Sequence, residues 1–85
     1  MRIRLLYFAR LREVFATAEE TPELPDTVLT LADLLDWLSR RGGIWSEELS
    51  PGRAYRVAIN QDLATRDAPL HENDEVALFP PVTGG

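Results

Sequence analysis

The sequence predicts an α+β fold in which one main helix covers one face of a mixed, mostly antiparallel sheet, and three observations predict it. Leu31, Leu34, Leu35 and Leu38 recur at i, i+3, i+4 and i+7, the apolar stripe of a single amphipathic helix. Short alternating apolar segments stand near both ends of the chain, at residues 3–8 and 75–79. Between the helix and the last segment, Pro51, Gly52 and Pro69 break the chain and no second helical stripe occurs. With 85 residues there is material for one core only, since a chain of this size buries about 60–65% of the surface it exposes when unfolded.

The opening strand places Ile3, Leu5 and Tyr7 on one face and Arg2 and Arg4 on the other. Leu6 and Phe8 share the face of the arginines, so its second half is apolar on both sides and Phe8 is expected to be covered. Leu11, Val14 and Phe15 suit a short helix over residues 9–15. Residues 18–24 carry acids and Pro22, which restricts any strand there to a sheet edge, where a missing donor is harmless.

Thr30 is placed to cap the main helix, and Asp33 complements the positive end of its dipole. Arg40 and Arg41 suit the negative end, and Gly42 supplies a left-handed stop. Residues 43–52 read as a loop. Tyr55, Val57 and Ile59 alternate as a half-buried strand. Asn60, Gln61 and Asp62 turn into a brief strand at Leu63 and Ala64, and Glu72, Asn73 and Asp74 turn into the last strand, residues 75–79. This order matches a β-grasp layout, with residues 1–79 as the domain and residues 80–85 as an extended tail. A ferredoxin-like arrangement would need a second long amphipathic helix in the later half.

Composition excludes several function classes. With 45% apolar and 27% charged residues the chain is an ordinary globular domain. It has no Cys, and its one His cannot form a metal cluster alone, so no thiolate chemistry and no metal site are expected. A net charge of −5 repels phosphate backbones and argues against nucleic acid. The apolar run near Met1 is far short of the ~20 residues that cross a bilayer and lacks a signal-peptide pattern, which predicts a cytoplasmic protein without a membrane partner.

The chemistry is expected at the tail. Pro80 and Pro81 remove two donors and fix two φ angles, ending the last strand in a stiff, extended exit. From Pro80, six residues at about 3.3 Å each reach roughly 20 Å, enough to thread into a partner's active site. Gly84 and Gly85 lack β-carbons, so they fit a narrow channel and leave the final carbonyl open to attack. A free carboxylate is a poor electrophile, so this use requires a separate ATP-consuming enzyme that forms an acyl adenylate, then a sulfur donor, giving a C-terminal thiocarboxylate.

The string Asp74-Glu75-Val76-Ala77-Leu78-Phe79-Pro80-Pro81-Val82-Thr83-Gly84-Gly85 closely resembles the C-terminus of the small, ubiquitin-like sulfur-carrier subunits of molybdopterin synthases. The resemblance includes Leu5 to Glu13, Thr27-Val28, Leu31 to Leu34 and Val57 to Gln61. It implies a ubiquitin-like fold and a Gly85 thiocarboxylate whose sulfur passes to a cyclic pyranopterin precursor of the molybdenum cofactor. It also implies three partners: the large synthase subunit in a heterotetramer, an adenylating enzyme resembling ubiquitin-activating enzymes, and a sulfur-donor protein. No cofactor is expected on the chain itself, ATP being used by the activating partner, and the chain is not an enzyme alone. Apolar docking contacts in that family fall here on Phe8, Leu63 and Phe79, while Pro80 and Pro81 aim the tail, Val82 and Thr83 guide it and Gly84 gives clearance. Tyr7 and Leu78 stand where Phe is frequent, an apolar exchange in each case.

Plainer readings stand beside these. A Gly-rich end is commonly only a loose terminus, and Phe8 and Phe79 also suit ordinary core packing. Other carriers of the same kind serve thiamin, cysteine or tRNA thiolation or protein conjugation, and a ubiquitin-like module that only binds would not need Gly84 and Gly85. His71 reads as a surface turn residue, Glu19 with Glu20 and Glu47 with Glu48 as loop charge, and Trp37 and Trp45 as packing at the helix edge and the loop beneath it. All 9 basic residues are Arg, so the chain offers an activated terminus no ε-amine to acylate; a base-composition preference for Arg is the plainer and preferred account.

Overall fold

The computed structural model describes residues 1–81. In chain order the elements are β1 (Arg4–Tyr7), α1 (Ala9–Phe15), β2 (Glu19–Glu20), α2 (Leu31–Ser39), α3 (Ile44–Glu48), β3 (Arg56–Ile59), β4 (Asp62–Leu63) and β5 (Glu75–Phe79). The strands form one sheet in the order β2-β1-β5-β3-β4. β1 and β5 run parallel, and the other three pairings are antiparallel.

The alternation in β1 does what the pleat requires: Ile3, Leu5 and Tyr7 are buried on one face. Pairing Leu5 with Val76 and Tyr7 with Leu78, then Leu78 with Val57, carries that face across the three central strands. The stripe Leu31, Leu34, Leu35 and Leu38 of α2 closes the core against it. Around the rim Leu11, Phe15, Leu24, Val28, Leu49 and Leu70 complete the cluster.

α2 begins in a full capping box. Thr30 Oγ1 accepts from the Asp33 N–H at 3.3 Å, and Asp33 Oδ2 accepts from the N–H groups of Thr30 at 3.1 Å and Leu29 at 3.0 Å. Asp33 is therefore a hydrogen-bonding cap as well as a favourable charge. Gly42, at φ +80°, makes the expected left-handed stop. The two arginines at that end part company. Arg40 caps the helix and pairs with Asp36 at 2.7 Å, whereas Arg41 turns inward, its guanidinium 5.0 Å from the Trp37 ring and 4.5 Å from the Trp45 ring.

Three local expectations are corrected. Residues 43–52 are not all loop, because α3 occupies Ile44–Glu48. Its apolar signal is one i, i+4 pair, Trp45 and Leu49, too short to read as periodic. Trp45 stacks on Phe15 at 3.9 Å, and Leu49 is buried, so tertiary packing holds the turn. Glu20 and Glu48 are not solvated loop charge. Glu20 accepts from both Nη groups of Arg41, at 2.9 and 2.8 Å, and from the Tyr7 hydroxyl at 2.7 Å; Glu48 is buried against Arg10. The edge strand also shrinks to Glu19–Glu20, followed by an isolated bridge between Arg2 and Glu23. Asn60 and Gln61, both at positive φ, form the two-residue connection between β3 and β4.

Leu34 is fully buried at the centre of α2, so Leu34→Ala is expected to cost about 2–5 kcal/mol of unfolding free energy, read from denaturant melts. The hydrogen bonds from Arg41 hold the Glu20 carboxyl below the usual carboxylate range, against partial burial that raises it. A carboxyl depressed on folding stabilises the native state fully above its unfolded pKa, about 4.5, and the contribution is lost as pH falls through the folded value. Glu20→Gln is therefore expected to lower stability at pH 7 and to flatten the acid limb of a stability-against-pH curve below about 4.5. An unchanged acid limb would contradict the assignment.

Candidate functional site: the open sheet face and the base of the tail

The face of the sheet opposite α2 carries an apolar row that follows from strand register. Leu6 pairs with Ala77, Ala77 with Ala58, and Ala58 with Leu63, so these four residues of four strands share the open face. One step further along, Arg56 pairs with Phe79. Phe8 lies just past β1 with extended backbone, and its N–H donates to the Leu78 carbonyl at 3.1 Å, continuing the β1–β5 ladder by a step. Alternation from Tyr7 turns Phe8 to the open face beside Phe79. Phe8 is 45% exposed and Leu63 71%; Phe79 is half-buried.

No element of the chain among the described residues buries Phe8, contrary to the expectation that it would be covered. Of the three docking residues expected from sequence, Phe8 and Phe79 come together at the exit of the last strand, and Leu63 stands two strands away at the sheet edge. The opposite end of the face is polar, with Arg4 3.2 Å from Glu19 and 3.6 Å from Glu75.

β5 lies between β1 and β3, so the chain leaves the sheet at its centre. Pro80 and Pro81 are half-buried over a cleft of about 240 Å³ whose walls include Arg10, Glu48, Arg53, Ala54 and Tyr55. Arg10 grips Glu48 with both Nη atoms, Nη2 to Oε2 at 3.0 Å. That grip holds the buried carboxyl of Glu48 below the usual carboxylate range, in opposition to desolvation. Sequence reading missed this pair, because its members lie 38 residues apart and neither has a local signal. Val82, Thr83, Gly84 and Gly85, the remaining residues predicted for the tail, lie outside the described residues.

Among the described residues no group of three or more His, Cys, Asp and Glu could hold a metal ion, and no helix is long and apolar enough to cross a membrane. His71 is exposed in the turn before β5, where Asp74 Oδ2 accepts from its backbone N–H at 2.8 Å. Glu48, which shares the cleft with Pro80 and Pro81, is occupied by Arg10. The arrangement suits binding: an apolar face open to a partner, with the half-buried Pro80 and Pro81 at the end of the central strand beside it.

The sequence profile of the ThiS family matches residues 5–85. The chain is similar to the molybdopterin synthase sulfur carrier subunit of Escherichia coli K12, with 37% identity over 83 residues covering 98% of this chain and 99% of that one. Among solved structures it resembles a candidate molybdopterin converting factor subunit 1 of Pyrococcus furiosus, with TM-score 0.80 and 26% identity over 96% of this chain and 99% of that one. It also shares its fold with the Helicobacter pylori complex of molybdopterin-converting factor subunits 1 and 2, with TM-score 0.68, 22% identity and full coverage of both chains. The β-grasp, ubiquitin-like architecture read from the sequence is the one these neighbours have.

Exposed side chains contribute little to folding, so Phe8→Ala and Leu63→Ala are each expected to change unfolding free energy by less than about 1 kcal/mol. A loss as large as that of a core truncation, measured in the same denaturant melts, would mean that these residues are structural.

Proposed function

The chain belongs to the ThiS family, and from that membership and the braced exit of its tail we propose that it is the sulfur carrier subunit of a molybdopterin synthase. The observation that carries the reading is that the family match runs to residue 85. It therefore includes Gly84 and Gly85, on a fold that starts its tail at the centre of the sheet.

In this reading the Gly85 carboxylate attacks the α-phosphate of ATP in a separate adenylating enzyme, giving an acyl adenylate and releasing pyrophosphate. A donor supplies sulfur at the sulfide level as hydrosulfide, which attacks the acyl carbon; the acyl–phosphate bond breaks, AMP leaves, a proton is lost and a thiocarboxylate remains on Gly85. The charged tail enters the large synthase subunit, where its sulfur is passed to a cyclic pyranopterin precursor. The chain supplies the reagent and its delivery; the nucleotide site and the pterin site belong to partners.

The residues divide accordingly. Phe8, Phe79 and Leu63, with the row Leu6, Ala77 and Ala58 between them, seat the partner on the open face. Pro80 and Pro81 fix the direction of departure, Val82 and Thr83 line the insertion, and Gly84 gives clearance at the reacting carbonyl. A stiff exit lowers the ordering entropy lost when the tail is threaded into an active site.

Incubation with ATP, a competent adenylating enzyme and a sulfur source is expected to raise the intact mass by the difference between sulfur and oxygen, with fragmentation placing the change on Gly85. An unmodified terminus under conditions that charge the Escherichia coli relative would contradict the proposal.

A further inference from the structure

A second concave surface lies away from the tail. Among the described residues, and beyond the short ladder to β4, the first half of β3 has no strand neighbour on its outer side: β4 pairs only with Ala58 and Ile59, with one more bond from the Ala64 N–H to the Val57 carbonyl at 3.0 Å. Between this free edge, the flank of α2 and the turn after α3 runs a groove of about 920 Å³. Leu31, Leu35, Leu49, Tyr55 and Val57 provide its apolar lining, and three guanidiniums, Arg53, Arg56 and Arg66, stand along it.

The charge distribution makes this groove unusual for the molecule. The chain carries a net −5, and six of its nine arginines pair with carboxylates. Arg12, Arg56 and Arg66 have no carboxylate partner among the described residues, and two of these three line the groove. The third guanidinium there, Arg53, lies 3.6 Å from the well-exposed Glu47, a screened surface pair that is readily exchanged. Among the described residues Asp36 is the one carboxylate lining the groove, and Arg40 holds it at 2.7 Å. An acidic protein has thus collected its surplus cations beside an apolar trough that ends at an unpaired strand edge.

We propose that this groove is a docking site for an extended, acidic segment of a partner protein, whose carboxylates meet Arg53, Arg56 and Arg66 while its alternate apolar side chains lie on Leu35, Tyr55 and Val57. Arg56 and Leu63 belong to both the groove and the open face, so a protein seated on that face reaches the groove without a gap. The site is separate from the tail, and its occupation is read independently of the charging of Gly85.

The probe is a synthetic six-residue peptide alternating Glu or Asp with Leu or Val, blocked at both ends, titrated into the 15N-labelled full chain. The expected result is shifts confined to the amides of Leu35, Arg53, Tyr55, Arg56 and Arg66, weakened as salt rises and absent with a peptide in which Lys replaces the acids. In the double variant Arg56→Glu, Arg66→Glu, binding is expected to fall by about fivefold to tenfold. Arg56→Lys, Arg66→Lys should retain most of it, which also shows that the fold is intact. Equal shifts with the acidic and basic peptides, or none in the groove, would overturn the proposal. So would groove shifts on deleting residues 82–85, which would make the chain's own tail the occupant, or shifts that grow with protein concentration alone, which would make it a second copy.

Discussion

The parallel pairing of β1 with β5 is the constraint on which the rest of the structure depends. Parallel strands need a long crossover, and here nearly the whole chain supplies it, bringing the first strand against the last at the middle of the sheet. Because β5 is hydrogen-bonded on both sides, its end is fixed by two neighbours, and the chain departs from a rigid platform in place of a fraying edge. Parallel strands are ordinarily covered on both faces. Among the described residues only one face is covered, and the row from Leu6 through Ala77 and Ala58 to Leu63 is left open. The topology that aims the tail is thus the one that creates an apolar face in need of a partner.

Polar contacts hold this arrangement where the core is thin. Tyr7, buried in the middle of the sheet, sends its hydroxyl to Glu20 on the edge strand, and Glu20 in turn holds Arg41 at the end of α2. Burial and that carboxylate push the Tyr7 hydroxyl far above its ordinary pKa. Arg41 then covers Trp45, which stacks on Phe15, so α2, α3, α1 and β2 are fastened through one guanidinium. On the other flank Arg10 and Glu48 join α1 to α3 directly beneath the two prolines. Both fastenings use planar bidentate geometry that an ammonium would not reproduce.

Most of the fold was legible because its signals are local. The stripe of α2, its cap at Thr30, the stop at Gly42, the alternation of Ile3, Leu5 and Tyr7, and the prolines that end β5 each lie within one element and one period. What escaped depends on distant partners. α3 has one apolar pair to announce it and is held by Phe15, some thirty positions earlier in the chain. Glu20 and Glu48 look like loop acids until folding brings Arg41 and Arg10 to them. The reading of the tail is of a different kind, since it rests on the identity of Pro80, Pro81, Gly84 and Gly85 and on no tertiary contact, and the last two lie outside the described residues. The exposure of Phe8 and the sharing of one face by Leu6, Ala77, Ala58 and Leu63 required the strand register, which composition does not set.

In the proposed function the working group of this protein is the carboxyl of its last glycine, and the sheet presents it. That role is tested most directly by reconstituting molybdopterin synthesis from a large synthase subunit, an adenylating enzyme, a sulfur source and the cyclic pyranopterin precursor, with the chain supplied either whole or lacking Gly85 alone. Product is expected with the whole chain and none with the shortened one, although both fold and bind the large subunit. Sustained synthesis with the chain that ends at Gly84 would contradict that role.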